Sequence, residues 1–447
     1  MSENSKRPWW SYEWWWLLPA VAACLICYLR FPVLENDDHS PIIRYIAETG
    51  EWPSVLAYRS AQHMPYYHTG SACLYRLLKY AYPVFNIAPD RAGQLVNLAE
   101  MFCLMILLVF ILRRLIPDKR ARILALLVFG ASTRWVTMSV TIDNDMSMAL
   151  LATLALLLTI KIMTYKELPH WNIVILIAII LGLGSAVKQN GQQFFIPLAG
   201  CLLIRYWLYN NPFSRLLIRA LVSSLIILIS TAPFYLRHYQ DTGNWIHHDQ
   251  SFHQKNWSGD SWEFFTFRFG EIIRRPFTPI PDIEDERICK SDLSWPSKIY
   301  TNWWSLPDFL PDRPPAFPTA VVFVTALPIT IMILAGLVIA LRRSKTVPEW
   351  IPPLGWIGIV AFFVLLASYL FPEPRWGCHT YPRMWLGASG GIISLFALGC
   401  WRIIEKRPST RWIIYIMVGV HVLAFWWLLL SGPFYSFYHP WPLMNIS

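Results

Sequence analysis

The sequence predicts an all-α protein that crosses a membrane many times. Of its 447 residues, 55% are hydrophobic and 15% are charged, whereas about a quarter of the residues in a soluble domain are charged. Long apolar runs recur from end to end, each close to the roughly 20 residues that span a bilayer. Because lipid offers no partners for backbone N–H and C=O groups, these runs must be helices.

Eleven spans are predicted, and two long polar stretches interrupt them. The spans cover residues 13–32, 95–116, 123–140, 144–164, 171–188, 191–209, 219–236, 318–341, 351–371, 383–402 and 412–431. The predicted units are an N-terminal transmembrane module, a cap loop outside the membrane and a set of C-terminal helices, at 1–236, 237–317 and 318–447. The first module contains an outside loop at 33–94, in which helical apolar patterns predict surface helices at 39–49 and 70–82.

Lys and Arg residues predict the orientation, since short cytoplasmic connections are rich in them. With the N-terminus inside, the most basic short connection is cytoplasmic and contains Arg113, Arg114, Lys119, Arg120 and Arg122. The net charge of +10 therefore indicates membrane topology and attraction to anionic lipid, and not a nucleic-acid partner. On this topology Cys289 and Cys378 face outside and are candidates for a disulfide.

A cluster of carboxylates follows the first predicted span directly. Glu35-Asn36-Asp37-Asp38-His39 stands a few residues after the apolar run. Carboxylates are costly close to hydrocarbon, so a group of them at a helix exit indicates function. The structural alternative is a solvated loop that ends the helix.

Three further polar segments are predicted on the same side of the membrane. The first is His63-Met64-Pro65-Tyr66-Tyr67-His68, in the same loop as the acidic cluster. The second is Asn144-Asp145, just before an apolar run, and the third is the segment 184–191, in which Lys188 separates two predicted helices. For Asp143 and Asp145 the expected role is a helix cap, and for Lys188 the alternative role is an interfacial lysine.

In their order along the chain, these segments resemble GT-C glycosyltransferases. The likeness is strongest to the branch with protein O-mannosyltransferases and the lipid A aminoarabinose transferase, and it covers about the first 240 residues. That family often has Asp-Glu where this chain has Asp37-Asp38, and its aminoarabinose branch has an acidic residue near the position of His63. It also often has an Arg-Tyr pair where this chain has the segment 375–383.

The resemblance implies transfer of a sugar from a polyprenyl-phosphate donor to a hydroxyl of a glycan, lipid or protein acceptor. It implies a carboxylate base, with Asp38 as first choice and Asp37 and Glu35 as alternatives. Cationic groups would stabilise the leaving phosphate, and the candidates are Lys188, Arg383, Arg375 and Arg44. The candidates for contact with the substrate are His63, Tyr66, Tyr67 and His68.

The resemblance requires no cofactor, and a divalent metal ion at Asp37 and Asp38 remains open. Because the sequence shows no long soluble domain, a bacterial inner membrane with the site facing the periplasm is expected, and the endoplasmic reticulum is the alternative. Two other functions stay open: a lipid-linked sugar transporter or flippase, and a polymerase or ligase of surface polysaccharide. A transporter would place charges near the middle of the membrane, whereas those of this chain concentrate at predicted helix ends.

Two polar residues within predicted spans are expected to have structural roles. Glu100 is expected to pair with a neighbour such as Arg134. His421 is expected to form a hydrogen bond between helices.

Overall fold

The computed structural model describes residues 13–30, 34–35, 39–58, 61, 66–85, 87–245, 266–277, 295–304, 315–370 and 385–431. The helices of the N-terminal half are α1 (Leu18–Arg30), α2 (His39–Thr49), α3 (Tyr66–Phe85), α4 (Ala92–Leu115), α5 (Lys119–Gly130), α6 (Thr133–Met138), α7 (Asp145–Thr164), α8 (Trp171–Val187), α9 (Phe195–Tyr209) and α10 (Phe213–Thr242). Those that follow are α11 (Phe269–Arg274), α12 (Trp295–Trp304), α13 (Ala316–Arg343), α14 (Ile351–Leu370), α15 (Ser389–Lys406) and α16 (Arg411–Ser431). Short 3₁₀ turns cover Trp14–Leu17, Pro89–Arg91, Gln189–Phe194, Arg275–Phe277, Pro348–Trp350, Trp385–Ala388 and Pro408–Thr410.

The helical membrane fold is confirmed. Within the described ranges, seven helical stretches are long and apolar enough to cross a membrane: Pro89–Leu115, Asp145–Thr164, Phe213–Thr242, Ala316–Arg343, Pro348–Leu366, Trp385–Lys406 and Pro408–Ser431. Two shorter apolar stretches, Trp14–Arg30 and Trp171–Val187, coincide with two more of the predicted spans. The predicted span 191–209 consists of a 3₁₀ turn followed by α9.

The predicted span 123–140 is instead broken into α5 and α6. Ser132 between them is extended, with φ −85° and ψ 114°. Gly130 lies against α1, where a Cβ would stand 2.5 Å from the Ala20 Cβ. Residues 128–149 are buried without interruption, so this polar stretch lies inside the protein, where neighbouring groups satisfy its backbone.

A short parallel strand pair joins two distant parts of the chain. In it β1 (Leu34–Glu35) pairs with β2 (Thr141–Ile142), Leu34 opposite Thr141 and Glu35 opposite Ile142. The strand pair places the segment after α1 beside the segment that leads into α7.

Helix α7 lies at the centre of one group of packed helices. Helices α4, α8 and α14 contact it, α10 lies on α8, and α13 packs against α15 and α16. Between α13 and α16, His421 Nδ1 and Thr325 Oγ1 are hydrogen-bonded at 3.0 Å, as predicted for His421. At the crossing of α13 and α15, a Cβ on Gly336 would stand 1.9 Å from the carbonyl oxygen of Leu395, so only glycine fits there.

An ionic cluster fixes the start of the described chain to the connection between α4 and α5. The buried carboxylate of Glu13 accepts from Arg113 Nε at 2.6 Å and from Arg122 Nη2 at 2.5 Å. Burial alone would raise the pKa of Glu13, but the hydrogen bonds and charges of the two guanidinium groups outweigh burial and lower it. The contact places Glu13 and this basic connection at the same end of the helices.

We expect Glu13→Gln to destabilise the protein by about 2 kcal/mol, because it removes a buried carboxylate charge that pairs with two partly buried guanidinium groups. Since the pKa of Glu13 is lower in the folded state, its contribution is present above its unfolded pKa and is lost as pH falls through the folded value. Melting of both proteins between pH 3 and pH 8 measures this difference. It should be largest at neutral pH and shrink in acid, and a constant difference would contradict the assignment.

Candidate active site

The site is built around the non-helical segment 139–144, which leads into α7. Inside a protein such a segment needs partners for its backbone groups, and α4 supplies them. Gln94 Nε2 donates to the carbonyl of Val140 at 2.8 Å. Asn97 Nδ2 donates to the carbonyls of Thr141 and Asp143, the latter at 2.9 Å. These two buried amides hold the segment against α4.

Gly93 allows three elements to meet beside this segment. Its carbonyl accepts from the Tyr67 hydroxyl of α3 at 3.3 Å. A Cβ at Gly93 would stand 2.7 Å from Ile142 Cγ2 and 2.9 Å from Tyr67 Oη. The absence of a side chain therefore lets α3, α4 and β2 converge.

Two carboxylates and one ammonium group lie where α7 begins and α8 ends. Lys188 Nζ pairs with Asp145 Oδ1 and lies 3.9 Å from Asp143 Oδ1. Both aspartate side chains are 1% exposed and that of Lys188 is 11% exposed. With a single ammonium group against two carboxylates, the three side chains carry one net negative charge when all are ionised.

Two backbone contacts fix the geometry of this ionic group. Asp143 Oδ1 accepts from the backbone N–H of Asp145, the first residue of α7, at 3.0 Å, whereas the N-cap position is Asn144. Asn144 Nδ2 donates to the carbonyl of Val187, the last residue of α8, at 3.0 Å. The start of α7 is thereby tied to the end of α8.

The turn after Lys188 is tight. The N–H of Gly191 donates to the carbonyl of Lys188 at 2.8 Å. A Cβ at Gly191 would stand 2.5 Å from the carbonyl carbon of Gly184. The chain thus folds back on the end of α8, which explains the glycine at position 191.

Two stacked histidines connect the first loop to the ionic group. His39, the first residue of α2, has its Nε2 4.0 Å from Asp143 Oδ1. Its Nδ1 is hydrogen-bonded to His68 Nε2 of α3 at 2.8 Å, and the ring centroids are 5.0 Å apart. Tyr67 packs edge-on against both rings. The result is a buried chain of polar contacts from α3 through α2 to the start of α7.

The structure brings only some of the predicted site residues together. Lys188, Tyr67 and His68 belong to the buried group, and the backbone of Glu35 lies beside Ile142. Asp37, Asp38, His63, Arg375 and Arg383 lie outside the described residues, as do the candidate cysteines Cys289 and Cys378.

Two other predicted residues stand apart from this group. Arg44 lies on the exposed side of α2, where its guanidinium is 2.8 Å from Asp90 Oδ1. The hydrogen bond to Asp90 raises the pKa of Arg44. Tyr66 is 47% exposed, whereas the adjacent Tyr67 is buried.

Sequence reasoning missed the roles of His39, Gln94 and Asn97. His39 directly follows Asp37-Asp38 and is the first residue of α2, a helix with an apolar face. This position is a signal for a polar residue that faces inward. Gln94, Asn97 and Glu100 recur every three residues in an apolar span, so they share one helix face. Glu100 accepts from Ser147 Oγ of α7, and the predicted pairing with Arg134 is wrong.

We expect His39→Ala to reduce turnover about 100-fold, on the scale of misplacing a reacting group by about 1 Å. The reason is that His39 connects the acidic segment to Asp143. The matched control is His170→Ala, since His170 is an exposed residue just before α8. Turnover assays of both variants, with melting curves to confirm folding, measure the effect. Equal activity of the two variants would remove His39 from the site.

No metal site is found among the residues that the structure describes, since no three His, Cys, Asp or Glu side chains are placed to hold an ion. The carboxylates considered for a divalent ion, Asp37 and Asp38, lie outside those residues.

No protein family matches this chain, and no curated protein is similar to it in sequence. Similar solved structures include ArnT from Cupriavidus metallidurans in the apo state, with 16% identity and a TM-score of 0.38 over 88% of this chain and 79% of that chain. The same enzyme bound to undecaprenyl phosphate gives 16% identity and a TM-score of 0.40 over 89% and 80%. The oligosaccharyltransferase of Archaeoglobus fulgidus, in complex with Zn and sulfate, gives 12% identity and a TM-score of 0.47 over 92% of this chain and 52% of that one.

This chain therefore spans about half the length of the oligosaccharyltransferase. ArnT and the oligosaccharyltransferase are therefore structures to which this chain is similar, and the resemblance to GT-C glycosyltransferases stays a prediction. At such low identities and TM-scores, the likeness identifies no donor, acceptor or catalytic residue of this chain.

Proposed function

We propose that this chain is an integral membrane glycosyltransferase that moves a sugar from a polyprenyl-phosphate donor to an acceptor hydroxyl. One observation carries the proposal. The residues before and after Asp37 and Asp38 are held beside the segment that contains the buried charges of Asp143 and Asp145. Glu35 is anchored through its pairing with Ile142, and His39 through its contact with Asp143. Asp37 and Asp38 stand between these two anchored residues in the sequence. The anchoring favours a functional segment over a solvated loop that merely ends a helix.

In the proposed reaction the acceptor hydroxyl oxygen attacks the anomeric carbon of the donor sugar. The new C–O bond forms as the bond between the anomeric carbon and the phosphate oxygen breaks. The hydroxyl proton passes to a carboxylate, for which Asp38 is the first candidate and Asp37 and Glu35 are alternatives. The other product is the polyprenyl phosphate, which keeps the electron pair of the broken bond.

Lys188 is the proposed partner of the leaving phosphate among the described residues. An ammonium group has three N–H donors, and in the described part of the chain Lys188 Nζ donates one of them, to Asp145. The other two can serve phosphate oxygens while the pair with Asp145 keeps the side chain in place. Arg375 and Arg383 remain proposed helpers, whereas Arg44 is the weakest candidate because Asp90 already neutralises it.

The aromatic residues of α3 divide into two proposed roles. Tyr67 and His68 are buried against His39, so their proposed role is to hold His39, which follows Asp37 and Asp38 in the sequence. Tyr66 is exposed and is free to contact a sugar, and His63 is proposed to act beside it.

The transporter alternative is less well supported by the positions of the charges. Asp143, Asp145 and Lys188 lie at the beginning of α7 and the end of α8, and not midway along a span. A transporter that carries ions or solutes would be expected to hold charged groups near the middle of the membrane.

The proposal is tested with purified protein in lipid nanodiscs and a panel of polyprenyl-phosphate sugars. We expect one donor to be consumed, with release of polyprenyl phosphate in equal amount to the sugar transferred to an acceptor. Proteoliposomes test the alternative with water-soluble sugars on one side. Solute flux without any consumption of lipid donor would contradict the proposed function.

A further inference from the structure

An open groove lies between α5, α16 and the turn at Trp16. It holds about 560 Å³, within the range of about 300–1,000 Å³ that is usual for ligand clefts. It lies at the end of the helices where Glu13 pairs with Arg113. Gln94 and Arg113 stand at opposite ends of α4, about 28 Å apart by helical rise. The groove is therefore separate from the candidate active site.

Two guanidinium groups line one end of this groove. Arg120 is the second residue of α5 and Arg411 is the first residue of α16. Neither has an acidic partner in the described part of the chain, and the Arg411 guanidinium lies 5.3 Å from the centre of the Trp412 ring. By contrast, the nearby Arg113 and Arg122 are both paired with Glu13. The groove thus has two uncompensated positive charges at its mouth.

Beyond the arginines the groove is lined mainly by apolar side chains. Leu124 and Leu127 lie on α5, and Val418 lies on α16. From Arg120 to Leu127 the helix rises about 10 Å. At Gly419 a Cβ would meet no atom within 4 Å, so the apolar part is open to an occupant.

We propose that this groove binds an anionic phospholipid. The lipid phosphate lies between Arg120 and Arg411, and one acyl chain lies along Leu124, Leu127 and Gly419. A charged mouth followed by an apolar trough matches a phospholipid along its length, whereas a free phosphate would use only the mouth. The large exposed apolar residues Ile413 and Ile416 on the same helix indicate that the groove faces lipid, and basic pockets between membrane helices are suited to acidic headgroups.

Native mass spectrometry of the protein, released from nanodiscs of equal phosphatidylglycerol and phosphatidylethanolamine, tests the proposal. The wild type should retain phosphatidylglycerol selectively. In Arg120→Gln/Arg411→Gln the preference for phosphatidylglycerol should fall about 30-fold, because two basic groups near the membrane surface are lost. Gly419→Leu, which fills the trough without changing charge, should reduce retention of both lipids.

Matched controls are Arg114→Gln, an exposed arginine of the same connection, and Gly358→Leu, where a Cβ also meets no atom within 4 Å. Both should bind lipid like the wild type. Equal retention of the two lipids by the wild type, or undiminished selectivity in the double arginine variant, would overturn the proposal. So would displacement of phosphatidylglycerol by inorganic phosphate together with normal binding by Gly419→Leu, because this would show a site for free phosphate.

Discussion

Asp38→Asn is expected to reduce sugar transfer by about 10²–10⁴-fold, the usual contribution of a general base. The amide has nearly the same shape as the carboxylate but cannot accept the hydroxyl proton. Substrate binding and insertion into the membrane should therefore be preserved. Asp37→Asn should have a smaller effect, because Asp38 is the first candidate for the base.

The measurement is release of polyprenyl phosphate per enzyme under single-turnover conditions, so that product release does not mask the chemical step. The control is Glu51→Gln, because Glu51 is an exposed acidic residue just after α2. It should turn over donor like the wild type. Normal turnover by both aspartate variants would remove the acidic pair from the mechanism.

Lys188→Gln is expected to have the second large effect, on both stability and activity. It would remove the ammonium group that pairs with two nearly fully buried carboxylates, Asp143 and Asp145. Removing one partner of a buried ion pair costs roughly 3–5 kcal/mol. A sharp fall in melting temperature and in the yield of folded protein should follow.

A second substitution separates the structural role of Lys188 from its proposed role at the phosphate. In Lys188→Gln/Asp145→Asn the ion pair is replaced by two amides, so much of the lost stability should return. Activity should stay low, because no ammonium group is left to stabilise the leaving phosphate. Wild-type turnover by a stable double variant would show that Lys188 only holds α7 and α8 together.

Much of the fold could be predicted because it follows from local hydrophobicity. Each of the eleven predicted spans overlaps described helix. The break between α5 and α6 could not be predicted, since residues 123–140 have the composition of a span. Polar residues in this stretch, such as Thr137 and Ser139, are buried by neighbouring helices. Only these long-range contacts show that the stretch lies in the protein interior and not in lipid.

In the candidate site, too, local sequence features could be predicted and contacts between distant residues could not. Lys188 could be predicted because a single cation interrupts an apolar sequence. The pairing of Glu35 with Ile142 and the contact of His39 with Asp143 join residues about a hundred positions apart, so no local pattern predicts them. The polar residues Gln94 and Asn97 had a visible periodicity, but their partners are backbone carbonyls, and these are the same in every sequence.

The most direct test of the account is a cryo-electron microscopy structure of the protein in nanodiscs with an added polyprenyl phosphate. We expect the phosphate to lie within hydrogen-bond distance of Lys188 Nζ, with the carboxylate of Asp38 or Asp37 facing the position of the sugar. A phosphate bound elsewhere, with both carboxylates directed away from Lys188, would contradict the proposed active site.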